Sequence, residues 1–308
     1  MILISEDVWG APFEELSKRR SIHQNPELWS DPAKLISSLS EVEALVVRNR
    51  TQVTADVIAA APKLKVIARA GVGLDNIDVK AADAAGVIVV AGLGANAVAV
   101  AELTLGLALA LSRAIAAQDL QTKSGKWIRT PGTEITGKTW GLLGCGATGR
   151  ATAKLLTGFG CKVLGYDPFF KGNEQIQLAS WQEVIEQSDV ISVHMPATVE
   201  TLGSLNSTVF SGMKSSALLI NVGRGELINE SDLVTALKDK EIAGAALDVR
   251  SAEPPTVGEL ETLSNVILTP HIAGITKESQ AAINKILVDN IDLVLSGKSA
   301  THAVGSIK

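Results

Sequence analysis

The chain is poor in the residues that mark several common protein classes. It has only two cysteines, Cys145 and Cys161, which excludes a disulfide scaffold and suits a reducing cytosol. Aromatic residues are also few: five Phe, five Trp and one Tyr. The core must therefore be built from Ala, Val, Ile and Leu. Positive charge is not in excess. Lys and Arg number 28 against 33 Asp and Glu, a net of −5, which argues against a nucleic-acid partner. No apolar run is long; the most apolar window, between Glu102 and Arg113, has ten residues, and a membrane span needs roughly 20. The N-terminal Met1-Ile2-Leu3-Ile4-Ser5-Glu6-Asp7 lacks the basic start of a signal peptide. These absences predict a cytoplasmic protein with no membrane partner. Disorder is excluded by 46% apolar against 20% charged residues.

What is present points to an α/β protein. The 27 glycines suggest many tight turns, and 308 residues give two domains at about 150 residues each. Short aliphatic runs at 2–5, 44–47, 65–69 and 87–91 read as strands, with helices at 31–39, 54–61 and 79–85 between them. That βαβ progression predicts a parallel sheet. A long helix is expected over 97–123. A second series of strands follows at 139–143, 162–166, 190–193, 217–221, 243–247 and 266–269, the pattern of a doubly wound sheet. One further helix, 277–295, precedes a polar tail. The first unit has only four clear strands, and the last helix has no strand after it. The simplest solution is a discontinuous first domain, 1–94 with 277–308, around a second domain, 95–276.

Gly144-Cys145-Gly146-Ala147-Thr148-Gly149 is a G-x-G-x-x-G run. It follows an apolar strand and opens a helix, which is the context that gives the pattern meaning. Gly144 permits the tight turn, Gly146 lets a pyrophosphate approach the backbone, and Gly149 lets helix and strand pack closely. The helix start then offers free N–H groups and a favourable dipole to the anion. Asp167 lies eighteen residues past Gly149, at the end of the next strand. A carboxylate there can accept from ribose hydroxyls and would repel a 2′-phosphate, so NAD is expected over NADP. The alternatives at this point are a glycine-rich turn without a ligand and an adenosyl cofactor; Asp167 alone could initiate a turn before Pro168.

Of the four histidines, His23 lies in a polar stretch and His302 in the tail, and both read as solvated. His194 and His271 each follow a strand, where open α/β sheets bind ligands. Residue type and position do not separate these two.

Three ordered segments do. They are Ile220-Asn221-Val222-Gly223-Arg224-Gly225-Glu226, Ala246-Leu247-Asp248-Val249-Arg250-Ser251-Ala252-Glu253-Pro254 and Thr269-Pro270-His271-Ile272. Together they resemble the signature of the D-isomer-specific 2-hydroxyacid dehydrogenases. The likeness extends upstream through Val46 to Thr51, Arg69 to Asp78 and Ala101 to Thr104, covering about residues 40 to 290. The resemblance implies a flavodoxin-like substrate domain, a Rossmann-like NAD domain and a homodimer. It also implies a small 2-hydroxy or 2-oxo acid as substrate and no metal.

Matched residue by residue, the resemblance places the catalytic roles on Arg224, Glu253 and His271. The chemistry is consistent with this. An arginine fork can grip the acid's carboxylate and polarise the 2-oxo oxygen. An imidazole oriented by a carboxylate can take the hydroxyl proton as hydride leaves carbon. Asp248 corresponds to a carboxylate that accepts from the nicotinamide amide. Ala147 and Thr148 offer N–H groups to the pyrophosphate; His194, Met195, Val222, Gly223 and Gly274 would line the cofactor. Gly71, Val72 and Gly73 are expected to form a backbone nest for a carboxylate, and Arg48 matches a substrate-side arginine of the phosphoglycerate enzymes. Arg48 and Arg50 together suit a second anionic group on the substrate, 3-phosphoglycerate-like or sulfolactate-like; the alternative is a plain monoanion, with Arg50 turned to solvent and only Arg48 near the site.

Three departures stand out. Ala91-Gly92-Leu93-Gly94-Ala95-Asn96 replaces the family's Asn-Thr-Pro-like stretch, and Arg250 replaces an aromatic residue. The sequence runs to Lys308, so the C-terminal regulatory domain of many phosphoglycerate enzymes is not expected. The alternative reading is an NAD-responsive corepressor on the same scaffold.

Overall fold

The computed structural model describes residues 1–307. The chain divides into two compact units. Unit 1 comprises Met1–Asn96 and the chain from Ile275 onward; unit 2 is Ala97–Gly274.

Unit 1 contains β1 (Ile2–Ile4), α1 (Ala11–Ser17), β2 (Ile22–Gln24), α2 (Pro32–Ser37), β3 (Ala44–Val47), α3 (Ala55–Ala59), β4 (Val66–Arg69), α4 (Val79–Ala84) and β5 (Ile88–Ala91). The strand order β2-β1-β3-β4-β5 is parallel throughout, the flavodoxin order, with its switch point between β1 and β3. Alternation along each strand sends side chains to opposite faces. Leu3, Leu45, Ile67 and Val89 pack with α2, α3 and α4 on one side. Ile2, Val46, Ala68 and Val90 face Phe13 and Leu16 of α1 and Ile283, Leu287 and Ile291 on the other. Those last three belong to α11 (Lys277–Leu295), whose Thr276 and Ser279 form a reciprocal cap that satisfies amides with no helical partner.

Unit 2 contains α5 (Ala97–Ser112), α6 (Ile115–Lys123), β6 (Thr139–Leu143), α7 (Ala147–Leu156), β7 (Lys162–Tyr166), β8 (Gln177–Leu178), α8 (Trp181–Gln187), β9 (Val190–Val193), α9 (Ser207–Gly212), β10 (Leu218–Asn221), α10 (Glu230–Lys238), β11 (Gly244–Leu247) and β12 (Val266–Leu268). Its sheet runs β12-β11-β10-β9-β6-β7-β8, all parallel. The order reverses between β6 and β9, placing a ligand crevice at the carboxyl ends of those strands. Helices α8, α9 and α10 cover one face; α5 and α7 cover the other through Leu107, Ala108, Ala153 and Leu156. Each fully buried Leu or Ile contributes roughly 1.5–3 kcal/mol, so two aliphatic faces compensate for the scarcity of aromatics.

Two expectations need correction. The helix expected over 97–123 is two helices bent by 60°. The break falls at Ala114, whose φ of 47° is left-handed; neither Gly nor Pro marks it in the sequence. Helix α5 is largely buried, whereas α6 buries no residue, so packing on the sheet ends where the chain turns. His23 is exposed, as expected, although it lies on an edge strand, β2. The tail contributes β13 (Ala303–Val304), antiparallel to β5, and His302 Nδ1 lies 3.0 Å from Thr301 Oγ1. Strands β2, β8 and β13 lack a run of three aliphatic residues, so the sequence does not mark them. Among the described residues no single helix is long and apolar enough to cross a membrane.

Candidate active site

The glycine-rich turn joins β6 to α7. Gly144 has φ 99°, and a Cβ there would lie 2.7 Å from the Met195 amide nitrogen. A Cβ on Gly149 would lie 2.2 Å from the Gly144 carbonyl oxygen. Both positions therefore require glycine. Gly146 differs, because a Cβ there would meet nothing within 4 Å. No side chain caps α7 at this end, where Gly146 and Ala147 are exposed and Thr148 is half-buried. This arrangement fits a dinucleotide pyrophosphate. Asp167 stands beside the turn, its Oδ2 accepting from Cys145 N at 2.8 Å and its Oδ1 from Phe169 N at 2.8 Å. The buried Cys145 thiol is pushed up to about 12 by burial and by the Asp167 charge. It stays protonated and chemically quiet.

The loops after β9, β10, β11 and β12 hold the other expected residues of unit 2. Gly223 packs against β9's exit; a Cβ there would lie 2.8 Å from the Met195 carbonyl oxygen. Met195 is buried, while Val222 and Gly274 are partly exposed. The side chain of Asn221, fully buried, accepts from Gly223 N at 3.0 Å and donates to the Arg224 carbonyl at 2.9 Å. It fixes the backbone that presents Arg224, whose Nη1 also donates to the Gly223 carbonyl at 2.9 Å.

His271 has φ 53°, a conformation that costs a residue with a Cβ about 1–2 kcal/mol. Asp248 holds it there. The Asp248 carbonyl accepts from His271 N at 2.8 Å. Its carboxylate, 1% exposed, accepts from Thr269 Oγ1 at 2.6 Å, Ile272 N at 2.9 Å and Ala273 N at 2.8 Å. The imidazole thus presented meets Glu253: His271 Nδ1 lies 2.7 Å from Glu253 Oε2. Glu253 Oε1 accepts from Arg250 N at 3.1 Å. Nδ1 is committed to the carboxylate, and Nε2 makes no hydrogen bond to any described residue. That is the arrangement of a histidine oriented to exchange a proton through Nε2.

His194 is placed differently. Its Nε2 lies 2.9 Å from Ser192 Oγ, which accepts from Trp140 Nε1 at 2.8 Å. Its Nδ1 is buried without a partner. Burial drives the ring down to about 3, so it stays neutral across the working pH range. The two strand-end histidines that sequence position left equal are separated by environment. The expected contact of His194 with the cofactor is narrowed, since the ring turns into the core.

Two further expectations are also narrowed. The Gly71 N–H donates to the Arg69 carbonyl at 2.8 Å, leaving the amides of Val72 and Gly73 for an anion. The Asp248 carboxylate already serves three donors, so a nicotinamide amide would share it. In unit 1 the loop after β3 wraps a buried acid absent from the sequence expectations: Glu6, 3% exposed, accepts from the amides of Arg48, Arg50 and Thr51 at 2.7–3.0 Å. Arg50 lies over the Trp29 ring at 4.6 Å, and Arg48 is half-buried. Glu6, Asn221 and Glu230 were legible only as polar residues beside apolar strands or at a helix start. Among the described residues no cluster of His, Cys, Asp or Glu is placed to hold a metal.

Comparison with known proteins places this geometry. The family model for the D-isomer specific 2-hydroxyacid dehydrogenase NAD binding domain matches residues 105–273. The chain belongs to this family. The matched residues all lie within unit 2. D-3-phosphoglycerate dehydrogenase of Mycobacterium leprae is 40% identical over 280 residues, covering 89% of this chain and 53% of that protein. The chain thus spans about half the length of the curated relatives it matches. Among solved structures, the TT0316 protein of Thermus thermophilus superposes with a TM-score of 0.91 at 31% identity, covering 98% of this chain and 99% of that one. An NADPH-dependent glyoxylate/hydroxypyruvate reductase of Sinorhizobium meliloti, solved with NADP and malonate, gives 0.88 at 29% identity, covering 98% and 97%. These dehydrogenase and reductase names lend no support to the corepressor alternative.

Proposed function

We propose that this family member is an NAD-dependent oxidoreductase acting on a small 2-hydroxy or 2-oxo acid. The observation that carries the reading is the 2.7 Å contact of Glu253 with His271 Nδ1 on a backbone that Asp248 locks in a left-handed conformation. When bound, the nicotinamide supplies or accepts hydride. Gly144, Gly146, Ala147, Thr148 and Gly149 hold its pyrophosphate, and Asp167 receives the adenosine ribose. Met195, Val222, Gly223 and Gly274 line the rest, with His194 lending backbone and bulk. Arg224 grips the substrate carboxylate, and His271 Nε2 takes the hydroxyl proton in oxidation and returns it in reduction. Glu253 stabilises the imidazolium and fixes the ring tautomer.

Unit 1 serves as the substrate-binding domain, with the Gly71–Gly73 backbone and Arg48 as its contacts. The stacking of Arg50 on Trp29 leaves Arg48 as the main candidate for a second anionic group, so a phosphoglycerate-like or sulfolactate-like acid remains the favoured substrate. The reading is tested by following NADH absorbance at 340 nm with a panel of 2-oxo acids, with and without a phospho or sulfo group. Oxidation of NADH with the substituted acids, and a loss of that preference in Arg48→Ala, is the expected result. Equal effects of the substitution on both acid types remove the second-anion pocket. No absorbance change with any acid, despite NADH binding, removes the dehydrogenase reading.

The protein is further proposed to be a cytoplasmic homodimer. Helix α6 and the segment after it leave Leu120 71%, Trp127 78% and Ile128 52% exposed, apolar side chains that a second copy would cover. Trp127→Asp is expected to convert a dimer to a monomer by sedimentation analysis; a wild-type monomer contradicts the assignment.

A further inference from the structure

Arg250, in the Asp248–Glu253 segment, has its guanidinium built into a network of two carboxylates. Its Nε and Nη2 donate to the two oxygens of Glu230 at 3.0 and 2.8 Å, and its Nη1 donates to Glu261 at 2.6 Å. The side chain is only 10% exposed, against 24% for Glu230 and 22% for Glu261. Glu230 opens α10, and it also accepts from Ser251 N at 3.0 Å and Ser251 Oγ at 3.1 Å. A forked, shielded arginine pair of this kind fixes geometry as well as adding energy.

The network reaches the reacting groups through the backbone. The Arg250 amide donates to Glu253 Oε1, and Glu253 Oε2 holds His271 Nδ1. On the other side, a Cβ at Gly225 would lie 1.9 Å from the Arg250 carbonyl carbon, so the segment is packed on the residue next to Arg224. We infer that Arg250 is a positioning residue: its guanidinium, clamped between Glu230 and Glu261, sets the backbone that aims Glu253 at His271 and seats the Arg224 turn. The inference rests on the proposed acid/base pair of His271 and Glu253. A family pattern that places an aromatic residue here would supply packing; this chain supplies a directional ionic clamp.

The test compares Arg250→Met, Glu230→Gln, Glu261→Gln and His271→Ala in the full chain. Arg250→Met is expected to lower kcat about tenfold or more, since small displacements of a catalytic group carry such effects, while KM and the NADH dissociation constant change little. Added guanidinium ion should restore part of kcat. The downfield proton resonance of His271 Nδ1–H, read in histidine-labelled protein, should broaden or vanish in Arg250→Met. Glu230→Gln, which removes the forked arm, should lower kcat more than Glu261→Gln. Wild-type kcat and an intact resonance in Arg250→Met, even with a lowered Tm, overturn the inference. Should Arg250→Met fail to fold, Glu261→Gln decides the matter: a smaller fall in kcat with faster exchange of the His271 proton supports the clamp, and no change in either overturns it. His271→Ala separates the two claims. If it retains turnover, the acid/base reading fails and the clamp with it; if it is inactive while Arg250→Met is normal, only the clamp fails.

Discussion

Each unit uses a buried carboxylate at the carboxyl end of its sheet to hold the loop of a neighbouring strand. In unit 1, Glu6 follows β1 and gathers the amides of Arg48, Arg50 and Thr51 after β3. In unit 2, Asp248 follows β11 and gathers Thr269, Ile272 and Ala273 after β12. In both, a pair of adjacent parallel strands brings one strand's acid to the next strand's exit. The outcomes differ. The unit 1 loop keeps ordinary backbone geometry and presents two arginines, one of them stacked on Trp29. The unit 2 loop is forced to a positive φ at His271, and the presented side chain is paired with a second acid. One anchor therefore orders a loop of unstrained backbone, and the other sustains a strained residue at the histidine proposed to move the proton.

The sharpest way to break this comparison is to neutralise each anchor. Asp248→Asn turns an acceptor of three donors into a group that must face some of them with its own N–H. It is expected to lower kcat about a hundredfold through displacement of His271. Glu6→Gln should cost about 1–3 kcal/mol of stability, because a buried amide loses its acceptor, and raise KM more than it lowers kcat. Steady-state kinetics and urea unfolding on both variants check this; equal kcat losses in the two would erase the distinction between the loops.

Much of this was readable in the sequence. Aliphatic runs located every strand of four or more residues because burial on both faces leaves little else possible. The glycine turn was legible because helix and strand context surrounded it. The anchors were not. A polar residue at a strand end reads the same whether it faces solvent or three amides, and the partners of Asp248 lie over twenty residues away. The break at Ala114 was equally hidden, since the residues on both sides favour helix and only the loss of a packing surface stops it. His194 and His271 looked alike because strand-end position sets location and says nothing of which way a ring turns.

His194 gives a smaller, pH-dependent test within unit 2. Its folded value is depressed to about 3 from 6.5, so the unfolded chain binds the proton first. Stability therefore falls as pH drops below 6.5 and the loss levels off near 3. At pH 5 this single ring accounts for about 2 kcal/mol. Urea unfolding at pH 7 and pH 5 should show that His194→Gln loses less stability on acidification than the wild type does. An identical loss in both would place the ring in contact with water. The smallest effect concerns the cofactor. Asp167→Ser should narrow a preference for NADH over NADPH by about tenfold, the worth of one repelled charge near 1.4 kcal/mol, measured by fluorescence titration. Equal affinities in the wild type would show that Asp167 does not meet the ribose.

The central claim is that His271, and not His194, moves the proton. Turnover of the best 2-oxo acid by His271→Ala and by His194→Gln, with NADH affinity measured alongside, tests it directly. The account predicts a loss of roughly 10² to 10⁴ in kcat for His271→Ala with NADH binding retained, and turnover within a few-fold of wild type for His194→Gln. Near-normal turnover in His271→Ala would contradict it.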